Sequence, residues 1–190
     1  MRIAIITSWY TDVVGGSGTG VFFNSFVAGL RERGFEVELI APTLTSTDYI
    51  EVTLERFLFN AQIRTDERLQ RADVIIGFDF DGYALDPNNR PPFIASAHSI
   101  FGDIVQHEHD PIRTMVVAQA FFDKVSMRQA DRVTAGSEYA RQRIIDLYGV
   151  APERVVAIPH GMLTAPWLTQ AQTLTRQPND HPVLLSVGKM

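Results

Sequence analysis

Residues 3–42 carry the reading that decides the fold: Ile3-Ala-Ile-Ile6, the loop Gly15-Gly-Ser-Gly-Thr-Gly20, the stretch Val21 to Arg33, Gly34, then Glu36-Val-Glu-Leu-Ile-Ala41 before Pro42. The first run is short, apolar and rich in β-branched residues, the pattern of a strand buried on both faces. Val21 to Arg33 spaces Phe22, Phe26 and Leu30 four apart, with Phe23 and Val27 beside them, so one helical face is apolar. Arg31, Glu32 and Arg33 close that helix and Gly34 stops it. The second apolar run ends at Pro42. Strand, helix and strand within forty residues make a βαβ unit.

The alternation continues outward. Ala72-Asp-Val-Ile-Ile-Gly77, Phe93-Ile-Ala-Ser-Ala97, Arg132-Val-Thr-Ala-Gly136 and Val155-Val-Ala-Ile158 read as strands. Helices are expected from Ile112 to Met127 and from Glu138 to Tyr148, the second opened by Ser137 as N-cap and closed by Gly149. The expected fold class is α/β, a Rossmann-like, doubly wound and mostly parallel sheet. From Thr164 to Pro182 the composition turns to Thr, Gln, Pro, Asn and Asp, after which Val183-Leu-Leu-Ser-Val187 opens a fresh strand. This divides the chain into a domain over 1–163, a linker over 164–182 and the first strand of a truncated second domain over 183–190.

At 190 residues the chain suits one main domain, typical domains having roughly 100–200. The net charge of −5, with 17 scattered Lys and Arg, offers no footprint for a phosphate backbone, so nucleic acid is not an expected partner. Cysteine is absent, which excludes disulfides and thiol chemistry and fits a reducing, cytoplasmic setting. Only four apolar residues separate Arg2 from Thr7, and no run reaches the ~18 of a membrane span; any membrane contact would be peripheral.

The glycine loop lies between a strand and a helix N-terminus, a standard place for an anion or phosphate. Its glycines cannot be fitted to the dinucleotide spacing, no Gly-Lys-Ser/Thr follows, and no acidic residue ends the second strand, so a nicotinamide enzyme is disfavoured. His98 follows the strand Phe93–Ala97 and belongs to the same carboxyl edge, where an imidazole can hydrogen-bond a substrate, exchange a proton near neutral pH, or cap the strand end. Asp79-Phe-Asp81 has the form of an Asp-x-Asp metal motif, yet two carboxylates on a strand-end loop are more simply expected to be solvated. His107-Glu-His-Asp110 lacks the helical spacing of a zinc site and reads as a polar loop. No metal site is expected.

Seven elements in order then resemble a known family: the Gly-Gly loop before an apolar helix, Leu30-Arg-Glu-Arg-Gly-Phe-Glu-Val37, Ala72-Asp-Val-Ile-Ile76, His98, Ala130-Asp-Arg-Val-Thr-Ala-Gly-Ser-Glu138, the stretch from Tyr148 through Arg154-Val-Val-Ala-Ile-Pro-His-Gly161, and Leu184-Leu-Ser-Val-Gly-Lys189. Together they are similar to the retaining family 4 glycosyltransferases. The resemblance implies the N-terminal, acceptor-side half of a GT-B fold, in which a nucleotide sugar is the co-substrate and a sugar, lipid or small-molecule hydroxyl is the acceptor. It implies no metal and no other cofactor. It places Gly15, Gly16, Ser17 and Gly18, with Ser137 and Glu138, at acceptor or phosphate contacts, His98 at the reacting groups and Lys189 at the donor diphosphate. Where the family has Pro-Asn-Gly-Val-Asp, this sequence has Pro159-His-Gly-Met-Leu163, which removes an acidic residue. A sugar-nucleotide epimerase of the same architecture and a non-catalytic sugar- or phosphate-binding module are the alternatives.

Overall fold

The computed structural model describes residues 1–9, 18–161 and 165–174. Six parallel strands form one sheet: β1 (Arg2–Ile6), β2 (Glu36–Ile40), β3 (Val74–Phe78), β4 (Phe93–Ala97), β5 (Arg132–Ala135) and β6 (Val155–Ala157). Their order is β2-β1-β3-β4-β5-β6. The helices are α1 (Gly18–Glu32), α2 (Tyr49–Gln62), α3 (Glu67–Gln70), α4 (Phe101–Ile104), α5 (Ile112–Gln129), α6 (Glu138–Tyr148) and α7 (Ala165–Gln172). The last lies inside the stretch expected as a linker, while the strand expected at 183–187 falls outside the described residues. Among the described residues no helix is long and apolar enough to cross a membrane.

The two sheet faces are covered differently. On one, Phe23 and Val27 of α1 pack on Ile3, Ile5, Ile76 and Phe78. On the other, Leu69, Met127, Ile144 and Tyr148, from α3, α5 and α6, pack on Ala4, Ile6, Ile75, Ala95 and Val133. Alternate residues of each strand thus enter opposite cores, as the two-residue pleat requires. α6 has the ends its sequence predicts: Ser137 accepts from Ala140 N at 3.1 Å and Gly149 is left-handed at φ 67.

α2 and the β3–β4 connection go beyond the sequence reading. α2 buries mostly polar side chains, Thr53, Arg56 and Asn60 beside Val52, and the buried face of α5 likewise carries Gln119, Asp123 and Ser126 between Val116 and Met127; Gln119 Nε2 donates to Thr53 Oγ1 at 3.0 Å. The β3–β4 connection, residues 79–92, contains turns and no helix. It is held by Asn60 Oδ1, which accepts from Gly82 N at 2.8 Å, and by Gln129 Nε2, which donates to the Gly82 carbonyl at 2.7 Å. Here the chain doubles back so closely that a Cβ on Gly77 would lie 2.2 Å from the Asp81 carbonyl oxygen.

The strand order reverses between β1 and β3, and in open α/β sheets ligands bind beyond the carboxyl ends of the strands at such a point. Because all six strands are parallel, the residues that follow each of them share one edge. That edge is the place to look for chemistry.

Candidate functional site at the carboxyl edge

His98, immediately after β4, sits among three rings. Phe22 of α1 lies 4.5 Å away between centroids, Phe78 at the end of β3 lies 4.9 Å away edge-on, and His160 is stacked at 4.6 Å and 24°. Phe22 also touches His160, at 4.6 Å. The His160 ring reaches this position over Gly136, where a Cβ would lie 2.9 Å from Nε2. Thus the ends of β3, β4 and β5, the segment after β6 and the first turns of α1 converge on one cluster.

This packing sets the state of His98. Burial, reinforced by His160, lowers its pKa to about 4. It is therefore a neutral imidazole at pH 7, and the expected proton exchange near neutrality gives way to hydrogen bonding. Thr134 Oγ1 donates to Ser96 Oγ at 3.1 Å, and Ser96 Oγ lies 3.3 Å from His98 Nε2. Since Ser96 accepts from Thr134, its own proton is free for Nε2. Donation from Ser96 to Nε2 is the arrangement of the tautomer with hydrogen on Nδ1.

Asp79 fixes the backbone under this ring. It stands at φ 53, a left-handed conformation that Asp tolerates better than most residues. Its Oδ1 accepts from His98 N at 2.7 Å and Ser99 N at 2.8 Å. Asp81 accepts from Ser8 N at 2.7 Å, Ser8 Oγ at 2.5 Å and Asn60 Nδ2 at 2.8 Å. Both carboxylates are buried, Asp79 at 7% and Asp81 at 1% exposure, which overturns the expectation that they are solvated. The reason is α2, whose polar face brings Asn60 and Arg56 against them. Arg56 donates through Nε to Ser8 Oγ at 3.0 Å and lies between the rings of Trp9 and Phe80, 4.3 Å from each centroid.

Three carboxyl groups, Asp79, Asp81 and Asp123, share this interior with one guanidinium. Burial raises all three, Asp79 to about 6 and Asp123 well above the usual range, with Tyr148 donating to Asp123 Oδ2 at 2.5 Å. Asp79 and Asp81 are thus committed to shaping the edge. Among the described residues no three His, Asp or Glu side chains gather as a metal-ligand set. His107, His109 and Asp110 are exposed in the turn between α4 and α5.

The other sequence candidates are dispersed. Gly15, Gly16, Ser17 and Lys189 lie outside the described residues. Gly18 begins α1, exposed, with open space where a Cβ would be. Ser137 spends its hydroxyl on capping α6, and Glu138 pairs with Arg141 at 3.0 Å. His160 and Phe22 were not singled out as site residues. Their only signal is position, one after a parallel strand and one near the start of the first helix.

With this geometry in hand, comparison with known proteins gives the family. A family model described as Glycosyltransferase Family 4 matches residues 16–165. The chain belongs to that family. The six-stranded parallel sheet with flanking helices is the Rossmann-like half of a GT-B fold, and the chain is a glycosyltransferase domain. Among solved structures, this family 4 domain is similar to a glycosyltransferase from Rickettsia africae ESF-5, with 14% identity and a TM-score of 0.39 over 90% of this chain and 48% of that one. It spans about half the length of that structure. No curated protein is matched by the sequence.

Proposed function

We propose that this family 4 domain is the acceptor-binding half of a retaining glycosyltransferase, which moves a sugar from a nucleotide-sugar donor to a hydroxyl acceptor without a metal. In this reading residues 1–163 form the acceptor domain, 164–182 the linker and 183–190 the start of the donor-binding domain, with Lys189 facing the donor diphosphate. The setting is cytoplasmic.

The single observation that carries the proposal is the convergence of His98, His160 and Phe22 beside the N-terminus of α1, at the β1/β3 reversal of a family 4 domain. A neutral His98 held through Ser96 presents an N–H to an acceptor hydroxyl or to the reacting sugar without placing a cation at the sugar carbon. The N-terminal end of the α1 dipole is positive and lies at the same edge, which supports charge neutralisation by the chain itself.

The test is turnover by the chain together with its donor-binding half, using uridine and guanosine diphosphate sugars and a set of hydroxyl acceptors. The anomeric configuration of the product is read by NMR. Expected is transfer with retention, and a loss of roughly 10²-fold in kcat/KM for His98→Gln. Isomerised nucleotide sugar with no acceptor product, or binding without turnover, would replace the proposal.

A further inference from the structure

α2 and α5 lie side by side, tied by the Gln119–Thr53 hydrogen bond at 3.0 Å and by Phe57 against Phe122, 4.8 Å between ring centroids. Residue numbers climb together across these contacts, so the helices run in the same direction. Their polar residues Thr53, Arg56, Gln119 and Asp123 are buried, which leaves Leu54, Leu58, Val117 and Phe121 on the outer side. These four are 48%, 62%, 45% and 62% exposed. Each pair is four residues apart and so makes a stripe along its helix. Between the stripes stands the Phe57–Phe122 contact, and Phe122 meets Phe121 at 5.4 Å, giving one continuous apolar platform. Single exposed hydrophobics are ordinary; a platform of two adjoining stripes marks an interaction surface.

The charges beside the platform decide what fits it. With Arg56 buried, the outer charges of α2 are Glu51 and Glu55, whose carboxylates accept from Ser46 Oγ at 2.6 Å and Thr45 N at 3.0 Å. With Asp123 buried, the outer charges of α5 are Arg113, Lys124 and Arg128, and none of these forms an ion pair among the described residues. One flank of the platform is therefore acidic and the other basic. A lipid surface of either sign meets one flank that repels it. A second copy, turned about an axis parallel to the helices, lays its α2 on this α5 and its α5 on this α2, acidic flank to basic flank on both sides. That rotation preserves height along the helices. With Thr53 level with Gln119, Glu51 and Glu55 stand level with Val117 and Phe121, between Arg113 and Lys124.

We propose that the α2–α5 platform is a dimerisation surface, on which two copies of this chain pair about a two-fold axis parallel to the helices. Leu54, Leu58, Val117 and Phe121 form the dry centre, and the oppositely charged flanks close each side. At 1.5 Å per residue and ~10 Å between helices the platform spans roughly 400 Å², half of the ~800 Å² per partner of a standard interface, so the pairing is reversible and micromolar. It is independent of the transfer reaction proposed above. Because both helices keep their direction, the carboxyl edges of the two copies lie at the same end of the dimer.

The experiment is sedimentation velocity of the 190-residue chain from about 1 to 200 µM at low salt, a span that brackets a micromolar Kd. Expected is a shift from monomer to dimer as concentration rises, weakened at least ~3-fold in about 0.5 M NaCl. Leu58→Ser and Phe121→Ser should each weaken the dimer by ~10-fold or more, with the Tm read by circular dichroism unchanged because both side chains are exposed. Lys124→Glu and Glu55→Lys should each weaken it by ~10-fold, and a one-to-one mixture of the two should regain the dimer, since each then meets its opposite charge on both flanks. The mixture reads a gain and so carries the test even where a single variant lowers Tm. Monomer at every concentration overturns the proposal, and so does a dimer that Leu58→Ser and Phe121→Ser leave intact. A mixture that pairs no better than its components overturns the two-fold arrangement. A monomer that instead pellets with phosphatidylglycerol vesicles, and is released by Phe121→Ser, assigns the platform to lipid and overturns the proposal.

Discussion

Replacing His98 by Gln keeps a hydrogen-bonding side chain of similar reach while removing the titration. In the folded domain the ring is enclosed by Phe22, Phe78 and His160, and burial lowers its pKa from 6.5 to about 4. Because the folded value lies below the unfolded one, neutral His98 contributes stability that is complete above pH 6.5 and is lost as the pH falls through about 4. At about 1.36 kcal/mol per pH unit the full contribution is roughly 3 kcal/mol. Asp79 acts in the opposite sense: raised to about 6, it stabilises below its unfolded value and loses that contribution as the pH rises through 6. The wild-type curve therefore mixes opposing slopes, and the quantity to follow is the difference between wild type and His98→Gln. Urea unfolding followed by circular dichroism between pH 4 and 7 should show wild type losing about 3 kcal/mol relative to the variant on acidification. A difference constant to within about 0.5 kcal/mol would refute the account of a buried, neutral imidazole.

Gly77→Ala drives a Cβ into the Asp81 carbonyl, backbone against backbone, and should cost at least about 3 kcal/mol, read as a large drop in Tm. Gly136→Ala meets first the side chain of the exposed residue His160, which can swing away, so stability should change by less than ~1 kcal/mol while the His98–His160 stack opens. In the active enzyme that variant should lose kcat/KM with its Tm intact, and unchanged kinetics would remove His160 from the site. Chelation should leave turnover unaffected; complete loss in EDTA with recovery in Mn²⁺ would contradict the metal-free reading.

What the sequence disclosed depends on where its apolar residues fall. β1, β4 and α6 carry patterns that admit one interpretation, and Ser137 and Gly149 mark the ends of α6 at the residues where it begins and stops. α2 escaped because periodicity finds helices by an apolar stripe, and three of the four buried residues of α2, Thr53, Arg56 and Asn60 but not Val52, are polar. The same blindness hid the environment of Asp79 and Asp81. Nothing near them in sequence announces the partners that bury them, since Ser8 lies 73 residues from Asp81 and Arg56 48 residues from Ser8. His98 was legible because it ends a recognisable strand. His160 stood in an equivalent place after β6, but its significance comes from stacking on His98 over a glycine, a relation between two distant segments.

The interior position of β1, next to the edge strand β2, bears on how the chain is made. It emerges before β2 and β3 during synthesis, yet it ends flanked by both. One edge can pair as soon as residues 36–40 follow, with Ile3 opposite Val37. The other edge waits for β3, where Ile3 lies opposite Val74, 71 residues later. Until then a strand that is apolar from Ile3 to Ile6 presents open backbone groups to any other extended chain. Release from the ribosome before residue 78 should thus yield a nascent chain that depends on chaperones, and the closing of β3 onto β1 marks the length at which that dependence ends.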